Sequence, residues 1–222
     1  MQYVKFCFAT TLLFIACAVQ AQTFNWARSG SETRQIANLN LGLEHGVVAG
    51  AAYGYYLPAK RPFLLGAEVS VPWGNALFDD FKIKLGGQML LFDVGHFKGV
   101  GGLNGIYRRV ETSLVRFDNF GAELTATIGY YRPCWFVAAN IGFDKAIVTR
   151  FKHSASYRES FPQVQDGWYE PATGGNYQYG AQVGFSLRRM DIYLKAGQML
   201  TQDFENRPLL PFYAQVGVSR RF

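Results

Sequence analysis

The side chains able to do acid–base chemistry are few. A general base of the usual kind would have to be His45, His96 or His153, since the chain holds no other histidine. Asp79, Asp80, Asp118 and Asp166 are the candidate carboxylates to stand beside them at the outer rim. No Asp-x-His occurs, and the adjacent Asp79 and Asp80 point to opposite faces of any strand that carries both. His153 is followed by Ser154, yet nothing else of a nucleophilic triad is visible. The reading is therefore not an enzyme, with no catalytic residue, metal or cofactor assigned.

A second set of residues carries charge rather than reactivity. Asn38, Asn40, Glu44, Glu68, Lys82, Lys84, Lys98, Arg108, Glu123, Asp144, Lys195 and Arg221 fall on the polar parity of alternating segments. Both signs occur, so these groups are able to pair as a polar core, because an unpaired charge away from water is costly. They are equally able to line a narrow passage in which Lys82 and Lys84 favour anions. A third set lies in the segment 151–175, where Arg158, Trp168 and Tyr169 are of the types that anchor interfaces. Irregular segments of that length are usually functional or disordered.

What positions these residues is a repeating strand pattern. From Ile36 onward apolar and polar residues alternate with period two. Phe120, Ala122, Leu124, Ala126, Ile128 and Tyr130 share one face, against Gly121, Glu123, Thr125, Thr127 and Gly129 on the other. Tyr177 to Leu187 repeats the pattern, with Gln178, Gly180, Gln182, Gly184 and Ser186 on the polar side. The apolar faces run for about ten residues, the length of a tilted strand crossing a bilayer. Soluble strands are usually about half as long. Aromatic residues crowd the strand ends, at Tyr53, Tyr55, Tyr56, Phe63, Tyr130, Tyr131, Trp135, Tyr177 and Tyr179, which suggests girdles at the headgroup level. The pattern predicts strands over residues 36–44, 47–57, 62–71, 81–92, 97–108, 118–131, 134–148, 176–188, 191–200 and 210–222. The predicted fold is all-β: a closed antiparallel up-and-down transmembrane barrel of ten strands, with eight as the alternative. Its connections are short on the side of the termini and long on the other.

The first residues set the compartment. Lys5, the apolar run from Phe6 to Val19 and the small-residue end Val19-Gln20-Ala21 have the layout of a secretory signal peptide. The expected division is a signal over 1–21, a short periplasmic segment over 22–35 and the barrel over 36–222. Ala16-Cys17 offers a competing lipoprotein box, with Phe14 where leucine is usual. Cleavage after Ala21 removes Cys7 and Cys17, so Cys134 remains alone and no internal disulfide forms. The formal charge is +6 with Lys5 and +5 without it, and its spread among carboxylates suits a charged lumen better than a nucleic-acid surface.

The last strand places Phe212, Ala214, Val216 and Val218 on one face and ends at Phe222. Gln215, Gly217 and Phe222 resemble the C-terminal signal by which outer-membrane barrels of Gram-negative bacteria are recognised for assembly. Arg220 stands where that signal has another aromatic. The chain thus resembles the small Gram-negative outer-membrane barrel proteins, the porin-like and OmpA/OmpX-like barrels. The resemblance implies location in the cell outer membrane, contact with outer-membrane lipid and with the barrel assembly machinery, and association with other outer-membrane proteins. The rim histidines and aspartates resemble those of the omptin proteases, and His153-Ser154 resembles a lipid A deacylase, without either motif being complete. The first expectation for function is a structural or interaction role as a subunit of a larger outer-membrane complex. A narrow charge-lined pore for small solutes is the alternative, and a barrel enzyme comes third.

Overall fold

The computed structural model describes residues 23–29, 34–43, 46–57, 59–73, 79–171, 174–204 and 210–222. The expected signal peptide, together with Glu44 and His45, lies outside them. Ten long strands form the wall: β1 (Gln35–Leu43), β2 (Val47–Leu57), β3 (Phe63–Pro72), β4 (Phe81–Val94), β5 (Phe97–Glu111), β6 (Val115–Tyr131), β7 (Trp135–His153), β9 (Gly175–Leu187), β10 (Met190–Thr201) and β11 (Phe212–Arg221). The remaining strand, β8 (Gly167–Tyr169), pairs only with the far end of β7. Helix α1 (Ala155–Ser160) lies in the same excursion between β7 and β9.

The sheet closes on itself. Every long strand pairs antiparallel with its sequence neighbour, β7 passing over β8 to β9, and the first strand pairs with the last, Ile36 opposite Arg221 and Leu43 opposite Ala214. Closure leaves no unpaired edge, which is what allows a sheet to sit in hydrocarbon. The alternation decides which face looks out. Leu39, Leu103, Leu124 and Phe185 are 68%, 62%, 62% and 63% exposed, whereas their neighbours Asn38, Asn104, Glu123 and Ser186 are buried. Oily outside and polar inside is the inverse of a soluble core.

The structure departs from the strand pattern in three places. First, β5, β6 and β7 run past the expected ends, so the connection between β5 and β6 shrinks to the turn around residues 112–114 and one side of the wall stands taller. Charges at Glu111 and Arg116 interrupt the apolar alternation there, yet the two residues are direct pairing partners. Second, Tyr56 and Tyr131 belong to no outer girdle: both are buried and face inward, because a strand's consecutive residues cannot share a face with Tyr55 and Tyr130. Third, residues 23–29, placed by sequence in a periplasmic tail, sit inside the barrel mouth at the end where both termini lie.

Candidate functional site: a charged lumen closed by the N-terminal segment

The lumen has three layers along the axis. At the end carrying the termini it is apolar. Ile36, Tyr56, Leu64, Leu90, Val100, Tyr131, Phe136 and Tyr193 point inward and pack with Phe24 and Trp26 as one cluster. Tyr131 and Phe136 stack with ring centroids 5.5 Å apart, and Phe24 lies 4.5 Å from Trp26. The segment is held by polar contacts as well. The Asn25 backbone N–H donates to Asp191 Oδ2 at 3.0 Å, and the Asn25 side-chain amide donates to Ser186 Oγ at 2.9 Å and to the Arg132 carbonyl at 2.6 Å. Asn25 Oδ1 accepts from Ala27 N at 2.9 Å, capping the 3-10 turn Trp26–Arg28. Ser219 Oγ donates to the Thr23 carbonyl at 2.7 Å, Thr23 Oγ1 donates to Gln182 at 3.3 Å, and Arg28 reaches the Arg188 carbonyl. Residues 23–29 are in effect a plug.

Asp191 bears two loads. Its Oδ2 receives the plug, and its Oδ1 accepts from Arg221 Nη2 at 3.0 Å, with both side chains almost fully buried. Above this pair an amide and hydroxyl layer follows. Asn38 Nδ2 donates to Ser219 Oγ at 2.8 Å and to Tyr193 Oη at 3.1 Å, and Asn40 donates to Asn38. Gly217 is required here, since a Cβ at that position would overlap the Tyr193 ring.

The middle layer gathers the charges. Glu123 accepts from Lys84 Nζ at 2.8 Å, from Asn104 Nδ2 at 2.9 Å and from Gln178 Nε2 at 2.9 Å. Lys82, Lys84, Lys195 and Glu68 line one cavity of about 60 Å³ beside it. A second cavity of about 40 Å³ lies towards the plug, lined by Thr23, Phe24 and Trp26 from below and by Gln88, Gln182 and Asn140 around it. Gln178 and Lys195 border both cavities, so the two adjoin. At roughly 15 Å³ per water, they hold on the order of seven waters and nothing the size of a sugar ring. One step nearer the long-loop end Arg108 pairs with Asp144, while Arg108 Nε, Asp144 Oδ1 and Asn140 Oδ1 have no protein partner although buried. Buried polar atoms of that kind are normally met by water.

The structure thus brings Glu68, Lys82, Lys84, Glu123 and Lys195 together, with Arg108 and Asp144 adjacent. Lys98 and Arg221 lie elsewhere, at the end of the termini, paired with Asp93 and Asp191. Asp191, Asn25 and Trp26, which seat residues 23–29 in the mouth, are not among the residues singled out from the sequence. Asp191 has the parity of Lys195 on its strand, and that signal was available.

Arg158, Trp168 and Tyr169 do not form one site. Arg158 lies 3.6 Å from Asp166 on the helical part of the excursion. Trp168 stands under the Arg150 guanidinium at 5.8 Å, and Tyr169 packs edge-on against Phe151 at 5.0 Å. His153 Nδ1 lies 2.9 Å from Asp166 Oδ1, a pairing across the excursion that no Asp-x-His spacing announces. The backbone N–H of His153 also donates to that carboxylate, and these bonds hold the Asp166 carboxyl below its ordinary value. Among the described residues no hydroxyl or thiol is hydrogen-bonded to the His153 ring, and Ser154 Oγ instead caps α1 by accepting from Tyr157 N. His96 packs edge-on against Tyr130 in a turn at the other end. The β11 residues Gln215 and Gly217 face inward and Phe222 follows the strand, its ring under the Arg220 guanidinium.

The class is a closed antiparallel ten-stranded β-barrel with an apolar outer face and a polar, charged lumen. Solved structures similar to this chain include two of a porin. One is the KdgM porin, with a TM-score of 0.44, 11% identity, and coverage of 84% of this chain and 99% of that one. The other is the KdgM porin in complex with disordered oligogalacturonate, with a TM-score of 0.43 at the same identity and coverage. No protein-family model matches the chain, and no curated protein matches its sequence.

Proposed function

We propose that the protein is an outer-membrane barrel forming a narrow pathway for water and small anions, held closed by its own N-terminal segment. The observation that carries this is the pair of adjoining cavities at Gln178 and Lys195, lined by three lysines and the carboxylate of Glu68, with the Glu123 carboxylate behind the lining, bonded to Lys84 and Gln178. Paired charges alone would leave a neutral lumen; three cations to two anions leaves a field that favours anions. The apolar belt on the outer face supports the membrane location, with the end of the termini towards the periplasm and the long loops outside. Export by the signal peptide and insertion by the assembly machinery reading Gln215, Gly217 and Phe222 complete this proposal. No catalytic role is part of it.

The test is conductance in planar bilayers. The pore reading expects discrete, salt-dependent steps, and a reversal potential displaced towards chloride under a salt gradient. Lys82→Glu combined with Lys195→Glu should displace it towards the cation. Silence from both the parent and a variant with a loosened plug would leave the other reading, a filled barrel with an interaction role, which the closed mouth and the Arg108–Asp144 and Asp191–Arg221 pairs favour.

A further inference from the structure

The outward wall of β4 to β7 carries a feature that a merely greasy belt does not need. Four aromatic residues form a row across it and onto β8: Phe81 lies 5.7 Å from Tyr107, Tyr107 lies 5.0 Å from Phe120, and Phe120 lies 6.0 Å from Trp168 of β8. At the loop-side edge of this row the pairing places Arg109 between Phe81 and Asp118 and Arg150 between Asp118 and Trp168, with Arg116 opposite Lys152 one step further towards the long loops. Adjacent strands are about 4.8 Å apart, so the Cα atoms of Arg109 and Arg150 are separated by about 10 Å. Arg109 pairs with Glu111 and Arg116 with Asp118, whereas Arg150 rests on Trp168 and Lys152 projects outward, neither with a carboxylate partner among the described residues. Four cations stand against three carboxylates, Glu111, Asp118 and Asp80, the last accepting from Glu111 N at 3.0 Å, and this stretch of the rim is left positive by one charge, on the side of Arg150 and Lys152.

Directly below the row the wall is hollow. The outward column of β5 reads Gly101, Leu103, Gly105, Tyr107, Arg109 from the middle of the barrel to the rim. Leu85 and Ala122 are the pairing partners of Gly105 on either side, and Leu124 is that of Leu103. A groove runs here between Leu65, Leu85, Met89, Leu91 and Leu124. Gly105 is not forced by packing: a Cβ there would have its nearest neighbour at 3.7 Å, an ordinary contact. From Gly101 to Arg109 is eight residues, about 26 Å along a strand, or about 20 Å of depth for a strand tilted by roughly 40°. One leaflet's hydrocarbon is about 15 Å thick, half of the bilayer core. Cationic rim, aromatic row and apolar groove therefore follow one another at the spacing of a headgroup, an interface and an acyl chain.

We propose that this wall is a binding site for one anionic, phosphate-bearing membrane lipid, its phosphate beside Arg150 and Lys152 and an acyl chain in the groove below Gly105. The site rests on the membrane reading given above. Bidentate donation by arginine suits a phosphate, and Trp168 fixes the guanidinium plane that would present it. Charge complementarity selects the occupant: a second copy of this chain would bring the same cations against themselves, and a zwitterionic lipid would leave the excess uncompensated.

The experiment is native mass spectrometry of the detergent-purified barrel with added phosphatidylglycerol or phosphatidylcholine of identical chains. One retained phosphatidylglycerol per barrel, at higher occupancy than phosphatidylcholine, is expected. Arg150→Ala should lower that occupancy about tenfold, the worth of one charge-assisted hydrogen bond. Gly105→Leu, which fills the gap between the aromatic row and the groove beside Leu85 and leaves every charge in place, should lower it independently. Equal retention of both lipids, or wild-type retention by both variants with unchanged circular dichroism, overturns the site while leaving the membrane reading intact. A parent protein that is monodisperse in water without detergent overturns the membrane reading, and the site with it.

Discussion

The plug can be loosened without touching the wall, and Trp26→Ala is the substitution that does so. Trp26 is 3% exposed and belongs to the apolar cluster at the mouth, but it lies outside every strand and receives no ladder hydrogen bond. Truncating a buried Trp or Phe to Ala costs about 3–5 kcal/mol. Here the whole cost falls on the equilibrium between plug seated and plug released, because the barrel's ten pairings remain. At 1.4 kcal/mol per factor of ten, the ratio of seated to released plug should fall by a factor of about 10² to 4 × 10³. Asp191→Ala would release the plug too, but it would also strand the buried Arg221 charge and weaken the wall, so its outcome would be ambiguous. The assay is the open fraction of single channels in planar bilayers, measured beside the parent. A rise of at least about tenfold in open time is the expected result, the low end allowing for partial repacking of Phe24. An open fraction equal to that of the parent, with the variant folded and inserted, would refute the view that residues 23–29 close the path.

Three further outcomes follow from the geometry. Gly217→Ala should displace the Tyr193 ring and break its bonds to Asn38, lowering barrel stability by about 1–3 kcal/mol as read by thermal unfolding in detergent, whereas Gly105→Ala should be neutral there. Glu123→Gln removes the carboxylate that Lys84 and Gln178 share, and a loss of about 3 kcal/mol is expected from leaving the Lys84 charge buried; an unchanged denaturant midpoint would mean that water already compensates it. Asp166 is depressed by its bonds to His153, so its contribution to pinning the outer excursion is full above the ordinary carboxylate value of 3.8 and is lost as pH falls through the lower folded value. Cleavage of residues 155–166 by an acid-active protease should therefore increase only below that range, and His153→Ala should move the onset upward while the backbone bond retains part of the effect.

Period two made most of the wall legible. It placed Leu124 outside and Glu123 inside, and the same parity on β9 put Gln178 and Gln182 where they border the cavities. What it could not supply was anything outside a strand. Phe24, Asn25 and Trp26 have no periodic neighbours; their burial depends on meeting Tyr131, Phe136 and Asp191 from strands more than a hundred residues away. The rim was missed for the opposite reason. Arg109, Glu111 and Arg116 keep strand geometry but not strand composition, and apolar alternation is the only signal by which the strands are read. The His153–Asp166 pair depends on a helix and a short hairpin folding back together, a geometry without a sequence period.

The plug and the selectivity of the lumen should separate in experiment, and the reason lies in how Asp191 is satisfied. If Asp191 faced the plug alone, releasing it would add a bare carboxylate to the path and turn the mouth against anions. Asp191 instead keeps Arg221 at 3.0 Å through its other oxygen, on the adjacent strand β11 and independent of residues 23–29. The uncovered mouth is then close to neutral, and the field along the axis is still set by Lys82, Lys84 and Lys195 against Glu68 and Glu123. Trp26→Ala channels should therefore open more often yet reverse at the same potential as the parent under a salt gradient. A shift towards cations in that variant would mean that the Asp191–Arg221 pair parts when the plug leaves.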